Sequence, residues 1–138
     1  MIKHILVPVD GSVGSDKAVA RSIDLAEVFE AKLHFLYVAN INQLAINAYL
    51  SDAILDAVTK AGQVVLDRAL GMVPSGIECC VNTDTGSPAV VILDYAAQNN
   101  IDLIVMGSRG LGVVQGVLLG SVSQYVIEQA KCPVMVIK

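Results

Sequence analysis

The sequence predicts an α/β fold: a single doubly wound domain, residues 1–138, with a five-stranded parallel sheet and helices on both faces. The length of 138 residues is that of one domain. Hydrophobic residues make up 54% of the chain and aromatic residues only 4%, so the core consists mainly of Val, Ile, Leu and Ala, which is typical of a buried parallel sheet. Short apolar runs also alternate with segments of helical spacing, which indicates parallel strands joined by right-handed crossovers.

The first half of the chain predicts three strands and two helices. The strands cover residues 2–9, 32–38 and 77–83, and the first helix covers 16–29 with Ser15 as its N-cap. Residues 40–50 have no clear period and fit a loop or an extension of the second helix. That helix begins at Ser51 and Asp52, ends at Pro74–Gly76, and has Leu55, Val58, Val65, Leu66 and Ala69 at helical spacing.

The second half predicts two helices and two strands. Gly86, Ser87 and Pro88 open a helix that ends at Asn99 and Asn100. A strand at 101–106, a helix at about 120–130 and a last strand at 134–137 follow. We predict the strand order 3-2-1-4-5, which places a ligand crevice between the ends of strands 1 and 4.

Charge and composition exclude several classes of protein. The net charge is −4 with no Lys/Arg cluster, so we expect no nucleic acid partner. Residues 33–51 and 110–127 are uncharged but interrupted by Asn, Gln or Gly, so we expect no membrane span. No signal peptide is visible, and Cys79, Cys80 and Cys132 predict buried, reduced thiols in a cytoplasmic protein.

A glycine-rich segment directly after the fourth predicted strand indicates a phosphate site. Residues 107–110 read Gly-Ser-Arg-Gly, and after nine intervening residues Gly120 and Ser121 begin a helix. Glycines let backbone amides approach a phosphate and adopt positive φ, while the helix N-terminus and Arg109 favour an anion. Each glycine alone is typical of a turn or a cap, but the set at the crevice favours function.

Other nucleotide and catalytic motifs are absent from the sequence. No lysine follows a glycine pair as a P-loop requires, and Gln115 stands where the dinucleotide-binding motif needs glycine. His4 and His34 lie within strands away from the crevice, which favours ordinary strand residues over catalytic bases. No cluster suggests nucleophilic catalysis or a structural metal.

The spacing Gly-x2-Gly-x9-Gly-Ser resembles the ATP-binding motif of the universal stress protein family. Further matching segments run along the whole chain: Ile-Leu-Val-Pro-Val-Asp-Gly-Ser at 5–12, Tyr-Val at 37–38, Gly-Ser-Pro at 86–88, Asp-Leu-Ile-Val-Met-Gly-Ser-Arg-Gly at 102–110, Leu-Gly-Ser-Val-Ser at 119–123 and Cys-Pro-Val-Met-Val-Ile at 132–137. The ordered series is far more specific than a single glycine motif.

The resemblance implies a binding role for eleven residues. Pro8 and Val9 would line the adenine pocket, Asp10 would contact ribose or adenine, and Val38 would lie against the base. Ribose and phosphates would be held by Met106, Gly107, Arg109 and Gly110, and the phosphate tail by Gly120, Ser121 and Val122. From the residues alone, Asp10 could instead brace its own turn.

The resemblance also implies an ATP-binding stress-response module. The segment 111–119 carries no Lys or Arg, so AMP or ADP could serve as well as ATP; this segment is a lid, a partner surface or simply packed inward. Mg²⁺ or Mn²⁺ could accompany the phosphates, with Asp10 as a distant ligand. No dedicated general base is evident, so we predict at most slow hydrolysis.

A second class of function remains open: a partner-binding dimer of the same fold that holds no nucleotide. Val134, Met135, Val136 and Ile137 form a predicted edge strand with only Lys138 to discourage pairing. We therefore expect a two-fold homodimer through this strand, which agrees with how proteins of the resembled family often dimerise.

Overall fold

The computed structural model describes residues 1–40, 52–110 and 119–138. In chain order its elements are β1 His4–Pro8, α1 Val13–Phe29, β2 Lys32–Ala39, α2 Asp52–Met72, β3 Cys79–Thr85, α3 Pro88–Gln98, β4 Leu103–Gly107, α4 Ser121–Gln129 and β5 Val134–Ile137. The interpretations of residues 41–51 and 111–118 lie outside the described residues.

The five strands form one parallel sheet in the order β3-β2-β1-β4-β5. The predicted fold class and strand order are therefore confirmed. Central strands β1, β2 and β4 supply the residues that water reaches least, among them Ile5, Phe35 and Ile104, each 0% exposed. Such strands are apolar throughout because helices cover both of their faces.

Alternate side chains of the strands enter two separate cores. Val7 and Phe35 pack with Val19 of α1 and Leu66 of α2 on one face. On the other face, Leu6, Leu36 and Ile104 pack with Ile92 of α3 and Val126 of α4. Two helices thus cover each face, as predicted, although Leu55, a predicted core-facing residue of α2, is 46% exposed.

The prediction that Ser15 caps α1 is wrong, because the helix begins three residues earlier. The N-cap is Ser12, whose hydroxyl accepts a hydrogen bond from the Ser15 N–H at 3.1 Å. The Ser12 carbonyl also accepts the Asp16 N–H at 3.0 Å. Ser15 turns its own hydroxyl back to accept the Asp10 N–H at 3.2 Å.

Strand boundaries shift by at most two residues where pairing overrides the apolar pattern. β3 begins at Cys79 and continues through polar residues to Thr85, since Ala39 of β2 supplies a partner for Thr85. Ahead of β4, the Asp102 carboxylate accepts the N–H groups of Lys3 at 2.8 Å and His4 at 2.9 Å. These two bonds, that of Lys3 first, lower the pKa of Asp102.

Cysteines and helices bear on two further expectations. All three cysteines are unpaired thiols, as predicted, but they are half-buried rather than buried. Burial raises the pKa of Cys79 and of Cys132. In the described part of the chain, no helix has both the length and the apolar character that crossing a bilayer requires.

Candidate functional site

A crevice opens where β1 and β4 separate at the carboxyl ends of the sheet. Paired positions between these strands end at Leu6 and Ile104. On their other sides, β1 stays paired with β2 as far as Pro8 and β4 with β5 as far as Gly107. The sheet therefore has its switch point at the predicted position, where ligands of open α/β sheets bind.

The N-terminus of α1 fits into this gap because two glycines meet there. A Cβ on Gly107 would lie 2.8 Å from the Gly14 carbonyl carbon, and a Cβ on Gly14 would lie 2.8 Å from the Arg109 carbonyl oxygen. Neither position can accept a side chain unless the backbone moves. The packing role of Gly14, in the first turn of α1, was not predicted from the sequence.

Asp10 braces its own turn and also faces the second loop of the crevice. Its Oδ1 accepts the Ser12 N–H at 2.9 Å, which braces the turn before α1. Its Oδ2 faces the other loop, since a Cβ on Gly110 would lie 2.6 Å from that oxygen. The structure thus brings Asp10 and Gly110 together across the crevice.

Backbone and hydroxyl hydrogen bonds bring the two ends of the glycine series together. The Gly120 N–H donates to the Ser108 carbonyl at 2.7 Å, and the Ser108 N–H donates to the Ile137 carbonyl at 2.9 Å. The Ser123 hydroxyl donates to the Gly107 carbonyl at 2.8 Å. Ser108 and Ser123 are buried, and neither was predicted from the sequence as a site residue, although each lies inside a segment that matches the family pattern.

The expected positive φ at the glycines of the phosphate segment is wrong. Left-handed φ values occur at Gly11 (84°) and Gly86 (137°), but not at Gly107, Gly110 or Gly120. Close approach explains the glycines at 107 and 110. Neither reason applies to Gly120, where a Cβ would have its nearest neighbour, the Ser108 carbonyl oxygen, at an ordinary 3.5 Å.

The two helices that begin at the crevice differ in how their N-termini are capped. Ser12 satisfies an amide of α1 with its side chain, whereas Gly120 caps α4 without any side-chain hydrogen bond. Amides of the first turn of a helix have no acceptor within the helix and attract anions. The start of α4, with exposed Ser121 and exposed Arg109 beside it, is the side of the crevice whose chemistry suits an anion.

The apolar residues predicted to contact the nucleotide divide into two groups. Val9 is 4% exposed and Met106 is 5% exposed, and both belong to the cores. Pro8, Val38 and Val122 are half-buried, and Val38 and Val122 pack against the core beneath α3 and α4. Only the half-buried three offer side-chain surface to a ligand.

A metal site made of protein side chains is not evident in the described ranges. Across residues 1–40, 52–110 and 119–138, no group of three or more His, Cys, Asp or Glu side chains could hold a metal ion. Any divalent cation here would therefore depend on phosphate oxygens and water for most of its ligands.

Comparison with known families gives one whole-length match. The model of the universal stress protein family matches residues 1–138. Universal stress protein MJ0531 of Methanocaldococcus jannaschii is 33% identical over 141 residues, which cover 100% of this chain and 83% of the relative. Universal stress protein YxiE of Bacillus subtilis is 30% identical over 148 residues and covers 100% of both chains.

Solved structures share the fold, and two contain a nucleotide. The hypothetical protein MJ0577 superposes with a TM-score of 0.90 at 24% identity, covering 100% of this chain and 96% of that one. A universal stress protein in complex with cAMP has a TM-score of 0.65 at 25% identity (99% and 96% covered). A family member from Arabidopsis thaliana with AMP bound has a TM-score of 0.70 at 23% identity (99% and 91% covered).

Proposed function

The chain belongs to the universal stress protein family, and we propose that it binds ATP in the crevice between β1 and β4 as a nucleotide-responsive stress-response module. AMP and ADP are alternative ligands of the same site. The observation that carries this proposal is the uncapped N-terminus of α4, held beside the 107–110 segment by the bond from Gly120 to Ser108. A helix start of this kind accepts phosphate oxygens on its amides.

The geometry supports a division of the crevice into a base end and a phosphate end. Pro8 and Val38 present apolar surface for the adenine, with the backbone of Val9 between them, and Asp10 lies within reach of the ribose. Phosphates approach the amides of Gly120 to Val122, with the Ser121 hydroxyl as a further donor. Met106 is buried, so it supports the floor beneath Gly107 rather than touching the ligand with its side chain.

Charge around the phosphate end favours modest affinity. Arg109 is the basic side chain in the 107–110 segment, and it is exposed to solvent, which weakens its attraction to an anion. Mg²⁺ or Mn²⁺ would supply charge that the chain does not, with Asp10 as an outer ligand. The Asp10 carboxylate already accepts the Ser12 N–H, so we assign it no role as a general base and expect at most slow hydrolysis in a cytoplasmic protein.

Adenine nucleotides in two structural neighbours support this proposal, one bound to cAMP and the other to AMP. The competing function is a dimeric partner-interaction module without nucleotide. One observation favours a dimer in either case: β5 is an edge strand of the sheet, with Met135 36% exposed.

Gly120→Ala tests the nucleotide site without disturbing the packing of the free protein. The added methyl group fits, with its nearest neighbour at 3.5 Å, but it occupies the side from which phosphate reaches the α4 amides. We expect ATP affinity to fall about tenfold or more, since hydrogen bonds to a charged group are lost. Isothermal titration calorimetry with ATP, ADP and AMP measures the change and the nucleotide preference.

Gly71→Ala is the matched control, because a Cβ at that position in α2 meets nothing within 4 Å. Its ATP affinity should equal that of the unaltered protein. If the unaltered protein shows no saturable binding, and denaturing it releases no adenine nucleotide, the nucleotide proposal is wrong and the partner-interaction module stands.

A further inference from the structure

A chain of hydrogen-bonded side chains connects three strands with α3, near the amino ends of the strands and away from the crevice. His4 Nδ1 lies 3.0 Å from His34 Nε2, and His34 Nδ1 lies 2.8 Å from the Tyr95 hydroxyl. The Asn82 amide donates to the same hydroxyl at 2.8 Å. The two histidines are thus more than the ordinary strand residues that the sequence predicted.

One placement of protons satisfies every hydrogen bond of this chain while His34 is neutral. With Asn82 donating to the Tyr95 oxygen, a neutral His34 accepts the Tyr95 hydroxyl proton on Nδ1. A neutral His34 then carries its own proton on Nε2 and donates it to His4 Nδ1. In this placement His34 is uncharged and every member of the chain has a partner.

A proton added to His34 breaks this arrangement. It would occupy Nδ1, so the Tyr95 hydroxyl would have to turn its own proton away from His34 and accept the new N–H instead. His34 is 5% exposed, and a charge at such a site is costly without a counter-ion in contact. These hydrogen bonds are therefore favoured while His34 is neutral and disfavoured when its ring is protonated.

We propose that His4, His34, Asn82 and Tyr95 form an acid-sensitive latch, which fixes α3 to the sheet at neutral pH and releases it when His34 is protonated. The latch spans β1, β2 and β3 on the sheet side and the last turn of α3 on the other. Release of α3 would also affect the crevice, because α3 follows Gly86. The Gly86 N–H donates to the Ala39 carbonyl at 3.0 Å, next to Val38.

The groups around His34 determine the direction of its response to pH. They come from every element packed against it: His4 on β1, Lys32 on β2, Glu78 ahead of β3, Cys80 on β3 with its sulfur 3.5 Å from Nδ1, Tyr95 on α3, and Asp102 ahead of β4 beside His4. Burial first, then His4 and Lys32, lower the pKa of His34 from 6.5 to about 4, against a smaller opposing effect of Glu78. Glu78 is held by Lys32 at 3.6 Å.

Two of these neighbours do not change charge in weakly acidic solution. Burial, and then the Cys80 sulfur, raise the pKa of Tyr95 above its ordinary value, so the hydroxyl keeps its proton. The hydrogen bonds from the Lys3 and His4 N–H groups lower the pKa of Asp102, so this carboxylate stays ionised. His34 is therefore the group of the latch whose protonation changes as the pH falls.

Amide hydrogen exchange across α3 tests the latch. With a pKa of 6.5 for exposed histidine and about 4 for His34 in the closed latch, the open form binds the extra proton. Opening is therefore unaffected above pH 6.5 and becomes more favourable as the pH falls toward 4. We expect the opening constant of α3, corrected for intrinsic exchange, to rise about 20-fold between roughly pH 7 and pH 5.

Comparison with α1 distinguishes release of α3 from unfolding of the whole protein. At the lower pH, α3 amides should exchange through an opening that depends less on denaturant than the opening that exposes α1. Equal opening free energies and equal denaturant dependence in α1 and α3 would mean that α3 is freed only by global unfolding, which overturns the proposal.

Substitutions assign the effect to the latch. His34→Gln should abolish the pH dependence of α3 opening, and its persistence in this variant would overturn the proposal. Tyr95→Phe should raise α3 opening about tenfold at neutral pH by removing one hydrogen-bonded hydroxyl. Tyr125→Phe, which removes a hydroxyl from a residue that is 45% exposed on α4, is the matched control and should change nothing.

Imidazole NMR provides a test in the unaltered protein, because the chain contains only two histidines. We expect one ring to titrate well below 6.5, and this titration to move upward in His4→Gln, which removes the neighbouring charge. Two independent titrations close to 6.5 would overturn the latch. No nucleotide is needed in these experiments, so their outcome is independent of the proposed function.

Discussion

Gly107 and Gly14 bring the end of β4 and the start of α1 so close that neither residue accepts a side chain. The atoms in the way belong to backbone, with the Gly14 carbonyl carbon at 2.8 Å from a Cβ on Gly107. A flexible side chain could move aside, but backbone can yield only if the helix shifts away from the strand. The close approach of α1 to β4 beside the crevice thus depends on glycine at both positions.

Gly107→Ala should therefore destabilise the protein by about 1–3 kcal/mol, the usual cost of overpacking. Gly120→Ala is the comparison within the same loop, since its Cβ would lie 3.5 Å from the nearest atom. That change should cost at most about 1 kcal/mol, the difference between glycine and alanine at an N-cap. Urea unfolding of both variants measures the difference, and equal midpoints would contradict the steric explanation.

The position of the crevice followed from the sequence, but the contacts that explain its individual residues did not. Asp10 and Gly110 were singled out separately, and the structure places a Cβ on Gly110 2.6 Å from Asp10 Oδ2. The buried serines 108 and 123 could not be distinguished from solvent-exposed hydroxyls, because their hydrogen bonds run to residues 29 and 16 positions away. Motif spacing carries no information about such partners.

At the scale of single elements, the helices differ in how their first amides are satisfied. Ser12 accepts the Ser15 N–H at 3.1 Å at the start of α1. Ser87 occupies the same position in α3, but its side chain makes no cap hydrogen bond there. We therefore expect the N-cap serine to contribute more to the free energy of unfolding in α1 than in α3.

Ser12→Ala should cost about 1 kcal/mol of unfolding free energy because it removes the α1 cap. Ser87→Ala, the matched change at the N-cap of α3, should cost only a few tenths of a kcal/mol since no cap bond is lost. Thermal or urea denaturation of the two variants checks the order. An equal loss in both would show that the Ser12 hydrogen bond contributes little.

Element order followed from the sequence, whereas element ends did not. Alternation of apolar runs with helical spacing is a property of long segments, so five strands and the order 3-2-1-4-5 could be predicted. Ser12 and Ser15 are equally good N-cap residues by type, and only the turn at Asp10 decides between them. β3 extends to Thr85 because β2 supplies partners, which no local pattern reveals.

At the scale of the whole molecule, the crevice, the histidine chain and the edge strand lie at three different places on one sheet. The carboxyl ends of β1 and β4 form the crevice, and the His34 chain beneath α3 lies toward the amino ends of the strands. β5 forms one edge of the sheet. The histidine chain could not be predicted, because its members are separated by 30 and 61 positions in sequence and meet only once the sheet and α3 are assembled.

Hydrogen bonds between β5 and β4 leave the other backbone N–H and carbonyl groups of β5 for a partner strand. The carbonyls of Pro133, just ahead of β5, and of Ile137 accept the N–H groups of Ile104 and Ser108, at 3.0 and 2.9 Å. Because backbone groups alternate sides along a strand, those of Val134 and Val136 point away from β4. A second copy of the chain that presents the same edge across a two-fold axis would satisfy them, and we therefore predict a homodimer through β5.

Met135→Lys should convert this dimer to monomer without loss of fold. Met135 is 36% exposed and its side chain extends from the middle of the edge, so two lysines facing one another across the axis would repel and stay hydrated. Val28→Lys, at a position of α1 that is 77% exposed, adds the same charge away from the edge and should remain dimeric. Sedimentation velocity at micromolar concentration distinguishes the two variants. A monomeric unaltered protein, or a Met135→Lys variant that still sediments as a dimer, would show that β5 is not the interface.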